Sequence, residues 1–184
     1  MNTTNYTIEL LIAGISTTLW LLLLSMAIWG NWLMAWLPAV GNELVTVLIL
    51  FPFVYMIGVL GDRLSSGLVS PLEDRIRKRY FPSEDEYKRA RSITYVRHEP
   101  LIKLFEYNSV RVRICRNWCF NGVLILISWM ILMFSSHSPV PYGSRGSVFF
   151  FSVIFLSATI GAAFFGLRKL LKKDMEYLKI QSEM

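Results

Sequence analysis

Four apolar blocks, each about twenty residues long and free of charge, dominate this chain and limit what it can fold into. The first runs from Leu10 to Trp29, and the others cover residues 44–61, 117–136 and 146–167. At 1.5 Å per residue, an α-helix of about 20 residues crosses the hydrocarbon core of a bilayer. Helices are the expected form, because a segment in lipid must satisfy its own backbone hydrogen bonds. The blocks therefore predict four membrane-spanning helices.

The composition agrees with a membrane protein rather than a soluble domain. The chain of 184 residues is 54% hydrophobic and has a mean hydropathy of +0.44. A soluble domain of this length needs a polar exterior, which such a composition does not supply. We therefore predict an all-α, polytopic membrane protein, with four transmembrane helices and a cytoplasmic helical segment between the second and the third.

The basic residues are confined almost entirely to two segments. Of the 19 Lys and Arg residues, thirteen lie between Asp62 and Arg116, five follow Leu167, and one is Arg145. Four spans place both termini, the 62–116 segment and the tail on one side of the membrane. Basic loops face the cytoplasm in membrane proteins. The sequence thus predicts a multi-pass protein of the inner or plasma membrane with both termini cytoplasmic.

These assignments divide the chain into four parts. They are a first pair of spans (1–61), a cytoplasmic basic helical segment (62–116), a second pair of spans (117–167) and a cytoplasmic amphipathic tail (168–184). The connections on the external side, including Gly30–Asn42, are short. The cytoplasmic part is therefore the larger water-exposed region.

Turn and capping signals predict three short helices within the 62–116 segment. Two Ser-x-x-Glu patterns, which begin at Ser70 and Ser83, are typical of helix N-termini. Pro71 suits the first position of the first of these helices. The second helix should reach about Val96. The third should begin near Pro100 and run without a break into the third span.

The tail is predicted to be an amphipathic helix that lies either against the inner leaflet or against the 62–116 segment. Its apolar face is formed by Leu167, Leu171, Met175 and Leu178. Lysines lie towards the other face, as in helices that bind membrane surfaces.

Small residues in the fourth span predict close helix packing. They recur at four-residue spacing and are Ser157, Ala158, Gly161, Ala162 and Gly166. Such residues let two membrane helices approach each other, within one chain or between copies in a homo-oligomer. In the second span, Pro52 predicts a kink, because proline removes one backbone hydrogen bond.

Six arginines are candidate contacts for an acidic partner or a phosphate group: Arg75, Arg77, Arg79, Arg111, Arg113 and Arg116. Clustered guanidinium groups bind carboxylates and phosphates well. The alternative for the last three is anchorage to lipid phosphates, since they directly precede the third span. Nucleic acid is a less favoured partner, because membrane orientation already accounts for most of the basic charge.

The sequence predicts no catalytic, cofactor or metal site. No catalytic motif is present, and the spans offer no cluster of polar catalytic groups. Cys115 and Cys119 are expected to lie one turn apart as small apolar residues near the membrane surface, because two thiols do not complete a metal site.

We expect a non-enzymatic, oligomeric membrane subunit that senses or anchors at the membrane and recruits a cytosolic protein through its basic helical segment. Small membrane subunits that work with a cytosolic effector occur in bacterial defence systems, and this analogy gives a hypothesis for its setting. The alternative is an oligomeric pore or ion channel that permeabilises the membrane. A membrane-bound enzyme is the weakest of the three hypotheses.

Overall fold

The computed structural model describes residues 3–30, 43–97 and 99–183, with side chains for 7–30, 50–94 and 103–182. Five α-helices and one short 3-10 turn make up the described chain, which contains no strand. The elements are α1 (Thr3–Trp29), α2 (Glu43–Tyr80), α3 (Glu84–Arg97), α4 (Glu99–Phe134), the turn Tyr142–Ser144 and α5 (Arg145–Glu183). The predicted all-α class is confirmed.

Three of these helices are long and apolar enough to cross a membrane. The candidate spans are Thr7–Trp29 in α1, Lys103–Phe134 in α4, and Tyr142–Ser182, which covers the 3-10 turn and nearly all of α5. The predicted second span, 44–61, lies at the start of α2, and part of it falls outside the described side chains. The presence of four spans and their orientation in the membrane therefore stay predictions. Most of the predicted external loop Gly30–Asn42 lies outside the described residues.

The predicted helix start at Ser70 is wrong, because α2 continues through Pro71 to Tyr80. A proline inside a helix leaves the carbonyl four residues earlier without its usual donor. Here that carbonyl belongs to Gly67, and the Ser70 hydroxyl donates to it at 3.0 Å. The serine therefore replaces the donor that Pro71 lacks, so the Ser-Pro pair lies within a helix instead of starting one. Pro52 also lies inside α2.

The other two predictions for the 62–116 segment are confirmed. The Ser83 hydroxyl accepts a hydrogen bond from the Glu86 backbone N–H at 3.2 Å, which caps α3 at its N-terminus. Glu84 in the first turn forms an ion pair with Lys88 at 3.2 Å. The third predicted helix is the beginning of α4, which runs unbroken from Glu99 into the third span.

Glycines allow α1 and α2 to pack with their backbones in contact. A Cβ atom at Gly14 would overlap the backbone carbonyl of Val54, and one at Gly58 would overlap that of Leu10. Only hydrogen fits at these two positions, as in other close crossings of membrane helices. Because α1 also packs along α4, it joins the membrane parts of α2 and α4.

At the more polar ends of the long helices, α2, α3, α4 and α5 form a helical bundle. Its core contains Ile76 of α2, Val112 of α4, and Leu167 and Leu171 of α5, with Met175 packed against them. In a second cluster, Phe81, Ala90 and Leu178 are buried together. The tail therefore packs against the 62–116 segment, which is one of its two predicted positions. Its apolar face is covered by protein.

Replacement of Gly58 by alanine is expected to lower the free energy of unfolding by about 2 kcal/mol, because its methyl group meets the Leu10 carbonyl. Gly67→Ala on the same helix is the matched control, since no atom lies within 4 Å of the position of its Cβ. Alanine there should be neutral or stabilising by about 0.5 kcal/mol. Unfolding in mixed detergent–SDS micelles measures both. Equal effects of the two substitutions would contradict the close crossing.

Candidate functional site

Two of the six predicted contact arginines lie inside the bundle. Arg116 is only 8% exposed, and its guanidinium forms an ion pair with Asp62 at 2.9 Å. A second carboxylate, that of Glu73, lies 3.7 Å from Arg116 Nη1. Arg113 forms an ion pair with Glu9 at 3.4 Å. Arg113 and Arg116 of α4 therefore form ion pairs with carboxylates of α1 and α2.

We call these five residues, Glu9, Asp62, Glu73, Arg113 and Arg116, the ion-pair cluster. The cluster joins three helices at the end of the membrane region that the sequence assigns to the cytoplasmic side. Removing paired charges from water is costly, and close ion pairs offset that cost. Anchorage to lipid phosphates was the alternative for Arg113 and Arg116, and in this structure both contact carboxylates of the same chain.

The other four arginines lie apart from the ion-pair cluster. Arg77 forms an ion pair with Asp74 at 2.9 Å and lies over the Tyr87 ring. Arg111 is exposed and lies over the ring of Tyr107, 5.5 Å from its centroid. Arg75 and Arg79 are also exposed. The structure therefore does not bring the six arginines together on one surface.

A ladder of polar side chains continues from the cluster into the membrane region. The carboxamide of Asn121, which is fully buried, donates to Ser16 at 2.9 Å and accepts from Thr17 at 3.1 Å. One turn earlier on α4, Asn117 donates to the Asp62 carboxylate at 3.3 Å. Interhelical hydrogen bonds of this kind stabilise membrane bundles modestly. This ladder fixes the register of α4 against α1 and α2.

This ladder was not predicted, although the sequence contains a signal for it. Asn117 and Asn121 are four residues apart and follow Arg113, so they share one face of α4. Polar residues on one face of an apolar span usually point towards other helices. That signal predicts a buried polar face, but it does not predict which residues of α1 and α2 meet it.

A cavity of about 740 Å³, which we call the interface cavity, lies next to the ion-pair cluster, between α2, α3, α4 and α5. Glu9 is its lining residue from α1. Acidic and basic side chains are balanced around it, four of each: Glu9, Glu73, Glu106 and Asp174, with Arg91, Lys103, Arg113 and Arg116. The cavity therefore carries charges of both signs without a strong net charge.

Three buried polar atoms that line this cavity have no hydrogen-bond partner in the described part of the chain. They are Oε1 of Glu9, Oε1 of Glu73 and Nε of Arg116. Burial raises the pKa of the Glu73 carboxyl, and the positive charge of Arg116 opposes this rise. Glu73 Oε1 keeps its 3.7 Å ion pair with Arg116, but none of the three atoms has a hydrogen bond. A buried polar atom without a hydrogen bond costs free energy, so these atoms favour water or a ligand in the cavity.

A second concave surface lies at the far end of the bundle, about 510 Å³ in volume, and we call it the tip groove. Three exposed cations from three helices line it: Arg79 of α2, Arg89 of α3 and Lys179 of α5. These cations have no ion-pair partner among the described side chains. Nearby, the Tyr80 hydroxyl donates to Glu176 at 2.9 Å, which raises the pKa of the Tyr80 phenol and ties α2 to α5.

The small residues of the fourth span mostly face away from the rest of the chain. Ser157, Ala158 and Ala162 are exposed, and a Cβ atom at Gly161 would meet open space. Gly166 differs, because its position for a Cβ lies 3.6 Å from Cys115 Sγ. The most apolar part of α5 contains no fully buried residue. This face is free to contact lipid or another helix.

Within the described residues, no group of three or more His, Cys, Asp or Glu side chains is arranged to hold a metal ion. Cys115 and Cys119 are free thiols, and both pack against the first core cluster. Models of protein families, curated proteins and solved structures showed no match to this chain. The function is therefore inferred from the geometry of the site.

We expect Arg116→Ala to lower the free energy of unfolding by about 3 kcal/mol, because it leaves Asp62 and Glu73 buried without their cation. Arg111→Ala removes the same side chain from an exposed position on the same helix, and should cost less than about 1 kcal/mol. Denaturation in mixed micelles compares the two. If Arg116 were a lipid anchor like any other, both variants would lose similar stability.

Proposed function

We propose that this protein is a four-span, non-enzymatic subunit of the inner or plasma membrane, with both termini cytoplasmic. In this proposal it forms a homo-oligomer and recruits a cytosolic protein through the far end of its helical bundle. The observation that carries the proposal is the continuity of three helices. Without a break, α2, α4 and α5 run from apolar segments into the cytoplasmic bundle. A change in helix packing in the membrane would therefore move the tip groove directly.

The distance of the tip groove from the membrane supports a soluble partner. Arg79 follows Asp62 by 17 residues of unbroken helix, which is roughly 26 Å at 1.5 Å per residue. Attraction to anionic lipids falls off within a Debye length, about 8 Å at physiological ionic strength. Lipid binding and the orientation rule account for basic residues near the membrane. They do not account well for three cations around a groove at this distance.

The charge around the tip groove favours an acidic protein surface over nucleic acid. Glu86 lines the same groove, and Glu84 and Asp85 precede it in the first turn of α3. These carboxylates would repel the continuous phosphate backbone of DNA or RNA. A protein surface can place its acidic residues opposite the three cations and avoid the carboxylates. The recruitment surface is thus assigned to the tip groove, in place of Arg113 and Arg116.

Oligomerisation is proposed through the outer face of the fourth span. Ser157, Ala158 and Ala162 are exposed there, and the open space beside Gly161 would admit a neighbouring helix. Small residues of this kind permit backbone contact between membrane helices. Assembly through this face would leave the tip grooves free to bind their partners.

Charge reversal of Arg79, Arg89 and Lys179 to glutamate is expected to release the cytosolic partner while the oligomer stays assembled. Opposed charges in an interface become like charges, which cost several kcal/mol and reduce association at low salt. Complexes extracted from the protein's own cells are measured by native mass spectrometry. Arg111→Glu, a reversal at an exposed arginine outside the groove, is the control and should retain the partner. If Arg111→Glu released the partner and the triple variant did not, the recruitment surface would be the part of α4 around Arg111.

The alternative is an oligomeric pore, for which the same exposed face of α5 would supply a lining of small residues. Against it, Ser16, Thr17 and Asn121 form hydrogen bonds inside one chain and are not available to line a channel. Liposomes that contain the purified protein distinguish the two functions. The recruitment proposal predicts that an ion gradient and an entrapped dye persist, whereas rapid loss of both would support the pore.

A further inference from the structure

The interface cavity has the features of a ligand site that neither membrane anchorage nor partner recruitment uses. It lies where α1 begins, next to the carboxylate of Glu9, and extends towards the cytoplasmic core at Leu171 and Leu178. Its volume of about 740 Å³ is within the range of small-molecule pockets. One end is therefore at the level of the predicted inner membrane surface, and the other is within the cytoplasmic bundle.

The ion pairs that border the cavity are longer than the one behind it. Arg113 and Glu9 are 3.4 Å apart, and Arg116 Nη1 and Glu73 are 3.7 Å apart, against 2.9 Å for Arg116 and Asp62. Charged hydrogen bonds are usually 2.7–2.9 Å long. The two longer pairs thus leave room for a group that contacts both partners.

The buried polar atoms of this cluster define the chemistry of such a group. Glu9 Oε1 is a buried acceptor and Arg116 Nε is a buried donor, and neither has a hydrogen-bond partner in the described part of the chain. Glu73 Oε1 is a second buried acceptor, whose contact is the 3.7 Å ion pair with Arg116. A simple anion would satisfy the donor but approach two carboxylates, and a simple cation would meet two guanidinium groups. A zwitterion with its charges a few bonds apart satisfies both kinds of atom. Its cationic end must also carry N–H donors to serve the two carboxylates.

We propose that the interface cavity binds a phosphoethanolamine group, with its phosphate on Arg113 and Arg116 and its ammonium on Glu9 and Glu73. A primary ammonium has three N–H donors, whereas the quaternary ammonium of phosphocholine has none. The group belongs either to an ethanolamine phospholipid of the inner leaflet or to a free, soluble phosphoethanolamine compound. This inference concerns the ion-pair cluster and does not depend on the tip groove or on recruitment of a partner.

Native mass spectrometry of the detergent-purified protein tests the lipid source. Phosphatidylethanolamine, phosphatidylcholine and phosphatidylglycerol are added at equal concentrations, and the bound fraction of each is measured. The expected result is about tenfold stronger retention of phosphatidylethanolamine than of the other two, which corresponds to one additional set of charged hydrogen bonds. Equal retention of the three lipids would exclude a site for the lipid headgroup.

A thermal-shift measurement with soluble phosphoethanolamine, and with phosphocholine for comparison, tests the free source. A rise in the unfolding temperature with phosphoethanolamine but not with phosphocholine supports the site. If the three lipids are also retained equally, this rise identifies a soluble ligand. Selective lipid retention without a soluble effect identifies the membrane headgroup. No selectivity in either measurement would overturn the proposal and leave the cavity as a space filled by water.

A double variant, Glu9→Gln with Glu73→Gln, is expected to abolish the preference for phosphoethanolamine over phosphocholine, because it removes both charges that hold the ammonium. Glu84→Gln, at an exposed carboxylate whose ion pair is with Lys88, is the matched control and should keep the preference. If the double variant bound phosphoethanolamine with unchanged selectivity, the assigned carboxylates would be wrong. The selectivity of the native protein remains decisive if the double variant does not fold.

Discussion

The ion pair between Arg116 of α4 and Asp62 of α2 is the contact around which the other helices are arranged. At 2.9 Å and largely shielded from solvent, it fixes the height of one helix against the other. Glu9 of α1 joins the same cluster through Arg113, so three helices meet at one level. Such a buried pair adds little net stability compared with apolar packing, but it is costly to break. Its main consequence is therefore a single register of the bundle.

That register has consequences in both directions along the helices. Towards the apolar segments, it aligns Asn121 with Ser16 and Thr17, and it brings Gly14 and Gly58 to the α1–α2 crossing. In the other direction α1 does not continue, since it begins at Thr3, and the bundle is completed by α3 and the tail of α5. The interface cavity lies where one set of packing partners replaces the other. This change of partners explains why polar atoms remain unpaired at that level.

Local sequence signals were reliable where neighbouring residues decide the structure. The capping box at Ser83 and the unbroken start of α4 follow from hydrogen bonds within one turn and from uninterrupted helix-forming residues. The similar signal at Ser70 failed, because a hydroxyl group inside a helix can bond the carbonyl that Pro71 leaves unpaired. The burial of Arg113 and Arg116 could not be read from the sequence for a different reason. Their carboxylate partners are 104 residues away for Arg113 and 54 residues away for Arg116, and no local pattern shows such pairs.

By itself, the sequence determined the helical class of this protein. Apolar blocks of membrane length specify helices, because a helix satisfies the backbone hydrogen bonds of a segment in hydrocarbon from within. It also determined the apolar face of the tail, since the period of a helix places Leu167, Leu171 and Leu178 together. Only the tertiary structure decided what covers that face, and which arginines are exposed. Periodicity fixes the direction of a side chain on its own helix. An ion pair, a cavity or a groove requires the relative positions of several helices, and these depend on contacts between residues that are distant in the sequence.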